Sequence, residues 1–436
     1  MKKIIFFISL LILSIYSINV NAKDTVISMN KYKEETFNYI NDSYDIEGKK
    51  DGKIVGGTIL FKKETDEDIA DYRVIVVKYN KDNKIEWKYI YTNVTGNYID
   101  SLNYTYDSNG KIDGYLVTMH NSLEESITNF VKLSLDGKFV SEKALALDDK
   151  TVISKVKETF TPEGIIDGYI AIGNSSSSGY LLKLDRDLNV VWSRQYQDFK
   201  VSDVEKVIKD NNIVGYVVVR KANSANTVEL IRFNTFGEEP VVIKNDLAEE
   251  NVYHLEEAID GFIIYGDTTE VKLKSGNTSY YLINYNSNNE NYWETIGDVS
   301  INKERIIKLL PIKKNNQLKE YLLTYSTGGT DTNLEVVKIG LDGEIKNKIK
   351  KIQDEYYSIK DFMFENDILY LVGQINCPKD DTCEYDSNSL LLVSDEEKVI
   401  EVKDNDSRNI LIVTGIFIIM IVGTVIYRRK KLNTSK

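Results

Sequence analysis

Residues 179–196 read Gly179-Tyr180-Leu181-Leu182-Lys183-Leu184-Asp185-Arg186-Asp187-Leu188-Asn189-Val190-Val191-Trp192-Ser193-Arg194-Gln195-Tyr196. A short apolar run with a lysine near its end is followed by a polar turn, and the turn by a second run carrying a tryptophan. Short apolar runs bounded by Asp and Asn are the pattern of strands joined by a tight hairpin. The pattern returns along the chain. The lysine position is filled in turn by Lys78, Lys132, Lys183, Arg232, Asn284, Lys338 and, in a degenerate copy, Leu392; the intervals are 54, 51, 49, 52, 54 and 54 residues. Asn80-Lys81-Asp82-Asn83, Leu135-Asp136-Gly137, Phe236-Gly237, Asn286-Ser287-Asn288-Asn289 and Leu341-Asp342-Gly343 follow as turns, rich in residues that tolerate a positive φ. The three tryptophans of the chain, Trp87, Trp192 and Trp293, each lie nine residues after that position. They share one phase of the repeat, so the register is real.

A further run precedes each of these strands, often introduced by glycine: Ile54-Val55-Gly56-Gly57, Gly114-Tyr115-Leu116-Val117, Gly168-Tyr169-Ile170-Ala171, Gly215-Tyr216-Val217-Val218, Gly261-Phe262-Ile263-Ile264, Tyr321-Leu322-Leu323 and Leu369-Tyr370-Leu371-Val372. Nearly continuous apolar character suits strands covered on both faces. In the third unit the strands are expected at 151–160, 165–174, 179–186 and 190–196. Four strands in about 50 residues, repeated around a common axis, predict an all-β fold of the β-propeller kind. Seven four-stranded blades are expected, with six or eight as the alternatives, followed by one C-terminal transmembrane helix. Residues 24–50 are weakly patterned and are expected to give the first strand of the first blade, with a closing strand for the last.

The phrase from Gly179 to Trp192 resembles a blade of secreted bacterial propellers with quinoprotein-like repeats, whose common phrase is roughly G-x-x-L-L-K-L-D-x-x-G-N-x-x-W. The likeness is good in this blade, partial around Lys78 and Lys132, and faint elsewhere. The resemblance implies the architecture, an extracytoplasmic setting and a binding or scaffolding role. It implies no quinone and no enzyme, and it transfers no residue roles.

The ends of the 436-residue chain read differently. Lys2 and Lys3, an apolar run from Ile4 to about Tyr16 and the small residues before Lys23 follow the plan of a secretory signal over residues 1–22. Residues 410–427, ILIVTGIFIIMIVGTVIY, carry no charge and are followed by Arg428, Arg429, Lys430 and Lys431. At 1.5 Å per residue in a helix this run nearly covers a hydrocarbon core of about 30 Å. Positive residues stay in the cytoplasm. The organisation expected is a signal peptide at 1–22, an extracytoplasmic propeller at 23–408, a span at 409–427 and a short basic cytoplasmic tail at 428–436. The location expected is the cell membrane, single-pass, with the N-terminus outside. The Lys, Asn, Ile and Tyr content suits an AT-rich, bacterial genome.

Residues 23–408 hold all 67 Asp and Glu against 48 Lys and Arg, a formal charge of −19. That excludes a nucleic-acid partner, which needs a basic stripe. Two His and two Cys leave little material for zinc, haem or iron–sulfur centres. Cys377 and Cys383 enclose Pro-Lys-Asp-Asp-Thr and are expected to form a local disulfide. Asp107 with Asn109, Asp185 with Asp187, and Asp380, Asp381 and Asp386 are acidic turns that match no spaced calcium loop. His120 and His254 stand alone in sequence, with no G-x-S-x-G elbow anywhere, and read as surface or loop residues. Tyrosines such as Tyr115, Tyr169, Tyr216 and Tyr281 fall at strand positions, where core packing explains them better than a sugar-stacking surface does. No catalytic, cofactor-binding or metal-ligating residue is therefore assigned. The expected function is that of a membrane-anchored, non-catalytic binding or scaffolding module for an envelope protein or surface ligand. The alternatives are a glycan-directed enzyme with its site at the axial funnel and a receptor subunit acting through a partner chain.

Overall fold

The apolar run at 178–184 is buried at every position, whereas 190–197 alternates between exposed and half-buried. The first strand is therefore interior to its sheet and the second forms the outer edge. The computed structural model describes residues 25–26 and 35–395, apart from 62–70, 94–96, 122–126, 148–150, 162, 164, 223–227, 248–251, 270–277, 297–302, 315–316, 329–332, 354–356, 366–367 and 376–387. All regular structure there is β. After a short β1 (Thr25–Val26), blade I comprises β2 (Glu35–Tyr44), β3 (Lys50–Phe61), β4 (Asp71–Asn80) and β5 (Ile85–Ile90). Blade II comprises β6 (Asn97–Tyr106), β7 (Ile112–Asn121), β8 (Ile127–Ser134) and β9 (Phe139–Ala146). Blade III comprises β10 (Val152–Phe160), β11 (Ile166–Asn174), β12 (Ser178–Leu184) and β13 (Val190–Gln197). Blade IV comprises β14 (Phe199–Lys209), β15 (Asn212–Ala222), β16 (Val228–Phe233) and β17 (Val241–Leu247). Blade V comprises β18 (Val252–Glu257), β19 (Phe262–Thr269), β20 (Thr278–Tyr285) and β21 (Asn291–Ile296). Blade VI comprises β22 (Lys303–Lys314), β23 (Gln317–Gly328), β24 (Asn333–Gly340) and β25 (Ile345–Gln353). A closing sheet follows, with β26 (Tyr357–Glu365), β27 (Ile368–Ile375) and β28 (Asn388–Asp395). Every pairing is antiparallel between sequence neighbours, save that β1 pairs with β28.

The innermost strand of each sheet packs on the sheet before it, and β2 packs on β26 and β27, so the ring closes. This is the propeller read from the repeat, with two corrections. Six complete blades are built from consecutive strands, not seven. Among the described residues the remaining sheet has three consecutive strands, and Thr25–Val26 adds the fourth at its outer edge, Thr25 opposite Val393. Val26 lies opposite Leu392 in the same pairing, so the N-terminal strand takes the edge that an outer strand of the last repeat would occupy. The second correction concerns the helix. Among the described residues there is none, and none long and apolar enough to cross a membrane. Residues 409–427 and 1–22 lie outside the described residues.

The hairpin joining the third and fourth strands is the same in all six blades. In blade I the Asn83 N–H donates to the Asn80 carbonyl (2.9 Å) and the Asn80 N–H to the Lys84 carbonyl (2.8 Å). The residue closing the turn has positive φ: Asn83, Leu188 and Asn289 in blades I, III and V, and Gly137, Gly237 and Gly343 in blades II, IV and VI. The alternation has a packing reason. Trp87 of blade I lies over Gly137 of blade II, Trp192 over Gly237, and Trp293 over Gly343; a Cβ on any of the three glycines would sit 2.4–2.7 Å from the indole. The Trp87 and Trp293 indole N–H groups donate to the Leu135 and Leu341 carbonyls of the next blade (3.1 and 2.9 Å). Each tryptophan thus fastens an odd blade to the even blade that follows.

Candidate functional site

On five of the six blades' inner strand pairs, and on β26–β27, a register shift of one residue falls at the same point, as between Val201 and Asp203 on β14. A bulge re-aims the side chain beside it. The residue after each bulge is Tyr39, Ser101, Lys155, Asp203, Lys308 or Asp361; His254 holds the same register on β18, which has no bulge. These seven form a ring on the innermost strands. Within it Lys155 contacts Asp203 (2.6 Å) and Lys308 contacts Asp361 (2.6 Å). Both aspartates also accept from the backbone of the next inner strand, Asp203 from the Leu255 N–H (3.0 Å) and Asp361 from the Ile40 N–H (3.1 Å). His254 Nδ1 lies 3.7 Å from Asp203.

Just below, in blades III to VI, lies a second layer: Lys157 pairs with Glu205, Lys206 with Glu257 (2.7 Å), and Lys313 also with Glu257. Burial would raise the Asp203 carboxyl, but Lys155, Lys157 and His254 outweigh it and hold that group well below the usual carboxylate range. Burial likewise opposes ionisation of Glu257, and Lys206 and Lys313 overcome it, bringing its pKa down to about 2. Glu256 goes the other way. Burial pushes it up to about 7 against the pull of Lys157, and Glu205 and Glu257 add repulsion.

That reversal has a measurable consequence. A carboxyl whose pKa is raised in the folded state binds a proton there that the unfolded chain has already released. Its contribution to stability is full below the unfolded value near 4.5 and is lost as pH rises to about 7. The wild-type chain should therefore lose on the order of 2 kcal/mol from this group across that window, the full shift being discounted for the side chain's partial exposure. Glu256→Gln should lack that fall, as urea unfolding at pH 5 and pH 8 will show.

The lysines that mark the repeat serve the blades themselves. Lys78 contacts Asp51 (2.5 Å), Lys132 contacts Asp113 (2.8 Å) and Lys183 contacts Asp167 (3.1 Å). A hydroxyl from the inner strand of the same blade donates to each aspartate: Ser43 (2.8 Å), Thr105 (2.6 Å) and Thr159 (2.5 Å). Tyr115 and Tyr169 are buried and reach the preceding blade, Tyr115 accepting from the Tyr44 N–H (3.1 Å) and Tyr169 donating to the Tyr104 carbonyl (2.9 Å). Tyr216 and Tyr281 are buried too.

His120 and His254 are strand residues, on β7 and β18, and each faces an aspartate; His120 Nδ1 lies 2.8 Å from Asp100. The expectation of loop histidines is thus corrected, although both side chains remain partly exposed. Asp107 caps its turn by accepting from the Asn109 and Lys111 N–H groups (2.8 and 2.9 Å), and Asp185 accepts from the Asn189 N–H (2.7 Å). Among the described residues no three His, Cys, Asp or Glu side chains are grouped to hold a metal ion. Cys377, Cys383, Asp380, Asp381 and Asp386 lie outside the described residues.

Sequence reading missed a further feature. In an antiparallel blade the turns between strands one and two and between three and four share one end. Every large apolar side chain that is strongly exposed among the described residues lies at that end or on the adjoining start of an outer strand. Ile46 is 78% exposed, Tyr292 71% and Phe236 70%; Val191, Val242 and Ile259 belong to the same set. Hydrophobic residues in turns are easily dismissed one at a time, and only the topology gathers them.

No family model and no curated protein matches the chain. Among solved structures it is similar to the Dos1 propeller, with a TM-score of 0.49 and 11% identity over 88% of this chain and 85% of that one. It is also similar to a prolyl endopeptidase structure (TM-score 0.43, 9% identity, 78% of this chain and 45% of that one) and to the WD40 domain of SCAP from fission yeast (TM-score 0.40, 7% identity, 88% and 98%). At these levels the likeness assigns no activity and no partner.

Proposed function

We propose that the chain is a non-catalytic binding or scaffolding module, held at the cell membrane by its C-terminal apolar segment and displayed outside the cell, with an envelope protein as its partner. The observation that supports this reading is the turn end of the blades. Apolar side chains gathered at one end and set among polar turns are the composition of a protein-docking surface. The acids and lysines of the inner ring, by contrast, pair with one another and with backbone N–H groups across adjacent blades. They hold the axis together rather than converging on a substrate. The apolar run at 410–427 and the basic residues after it support the anchoring and the topology.

A photo-reactive cross-linker placed on the full-length chain in its native membrane tests the docking end. Attachment through Phe236→Cys should give one discrete protein adduct, and attachment through Ser176→Cys, at the opposite end of blade III, should not. Adducts at both positions alike, or at neither, would overturn the assignment of the partner to the turn end.

A further inference from the structure

Blade V lacks the lysine of the lysine–aspartate pair, and a cavity lies beside the residue that replaces it. In blades I, II and III an Asp-Gly pair opens the second strand, and the lysine of the third strand closes on that aspartate. Blade V keeps the pair as Asp260-Gly261 but carries Asn284 in the lysine's place. The register is the same: Asn284 lies opposite Ile263 and Trp293, as Lys78 lies opposite Ile54 and Trp87, and Lys183 opposite Ile170 and Trp192. Asn is shorter than Lys and carries no charge. Beside it is a cavity of about 380 Å³ lined by Asp260, Asn284, Tyr292, Tyr321 and Leu341 among others. Arg232 of blade IV feels the charge of Asp260, but its guanidinium bonds to the Ser287 carbonyl and to Asn289 Oδ1 and does not line the cavity.

We propose that this cavity binds a primary alkylammonium group, such as the side chain of a lysine, which takes the position that the blade's own lysine takes in blades I to III. The carboxylate of Asp260 and the amide oxygen of Asn284 offer acceptors to a three-donor head. Tyr292, 71% exposed at the rim, offers a ring face to the charge, and Leu341 and Tyr321 offer apolar wall to the alkyl stem. The volume admits a side chain or a small amine and excludes a folded element. The cavity opens at the turn end, so this inference deepens the binding reading above by naming the chemistry of one contact, and it rests on that reading only for the source of the amine.

The test is titration calorimetry on the full-length chain with Nα-acetyl-lysine methylamide and with cadaverine. Saturable binding is expected for at least one of them. The neutral analogue Nα-acetyl-norleucine methylamide should bind at least tenfold more weakly, because it lacks the charged head. Asn284→Lys should abolish amine binding by supplying the ammonium from within the blade; it restores the arrangement already present in three blades and should fold. Asp260→Asn, nearly isosteric, should weaken binding at least tenfold. Tighter binding of the lysine derivative supports the site with a protein as its source, and tighter binding of cadaverine supports it with a free amine. Failure of both amines to bind, equal binding of the norleucine analogue, or unchanged binding in Asn284→Lys would overturn the proposal. None of these failures touches the cross-linking result at Phe236, which stands or falls separately.

Discussion

Asp203→Ala is expected to destabilise the folded chain by about 3–5 kcal/mol, the cost of removing one member of a buried ion pair while its partner remains. Asp203 is wholly buried, and one carboxylate of blade IV serves four groups on the two flanking blades: Lys155 and Lys157 of blade III, and the Leu255 N–H and His254 of blade V. Without it Lys155 faces the axis with no carboxylate at contact distance, and a backbone donor loses its acceptor. Asp203→Asn separates the two losses. It can still accept from the Leu255 N–H but carries no charge, and most of the destabilisation should remain. The measurement is urea unfolding at neutral pH, and a loss below 1 kcal/mol in both variants would refute the account. The acid limb carries the same information. Because Asp203 and Glu257 are held below their unfolded values, they add stability that is complete above about pH 5 and drains away as pH falls through their folded values. Wild type should lose stability on acidification, and Asp203→Asn should lose less.

Gly137→Val should rank next, at about 2–4 kcal/mol. Gly137 has φ +79°, where a β-branched residue is strained by about 1–2 kcal/mol, and its added Cβ would lie 2.4 Å from the Trp87 ring. The indole must move, and its N–H bond to the Leu135 carbonyl goes with it. A double-mutant cycle isolates the second part. In a Trp87→Ala background the same glycine substitution should cost only the backbone strain, so the two changes should be strongly non-additive. Additive losses would mean that the tryptophan and the turn do not lock the blades. Asn83→Val is the internal control, since Asn83 closes the equivalent turn of blade I and no tryptophan of this chain occupies the corresponding position before it.

Both residues of that lock were visible in the sequence, and their partnership was not. Trp87, Trp192 and Trp293 establish the repeat phase by spacing alone, and Gly137, Gly237 and Gly343 read as turn residues. They belong to different blades, however, and a separation of 45 or 50 residues hides the contact. Local pattern made the strands of blade III legible to within two residues, because alternation and turn chemistry are local. The outer strand of the closing sheet was harder to place, since Thr25–Val26 has no periodicity and draws its identity from Val393 at the other end of the fold. The inner ring was illegible for another reason. The connections between strands differ in length from blade to blade, so Lys155, Asp203 and Lys308 keep no constant distance from the lysine positions used to phase the repeat. His254 looked solitary because its aspartate lies 51 residues earlier, one blade away.

The pairing of β1 with β28 also sets an order of events. Apolar side chains of blade I, among them Phe37, Ile40 and Val55, share a buried cluster with Val372 of the closing sheet. While a chain of this kind is being made, those side chains have nothing to cover them until residues near 372 exist, and Thr25–Val26 has no edge to join until residues near 393 do. Contacts of such long sequence separation form late and slowly, and the uncovered apolar face and open strand edge are the surfaces through which unfinished chains aggregate. The ring must therefore stay open through synthesis and close last, at its two ends together. A chain cut short after blade VI should be an obligate client of whatever chaperones it meets, however well its first blades have formed.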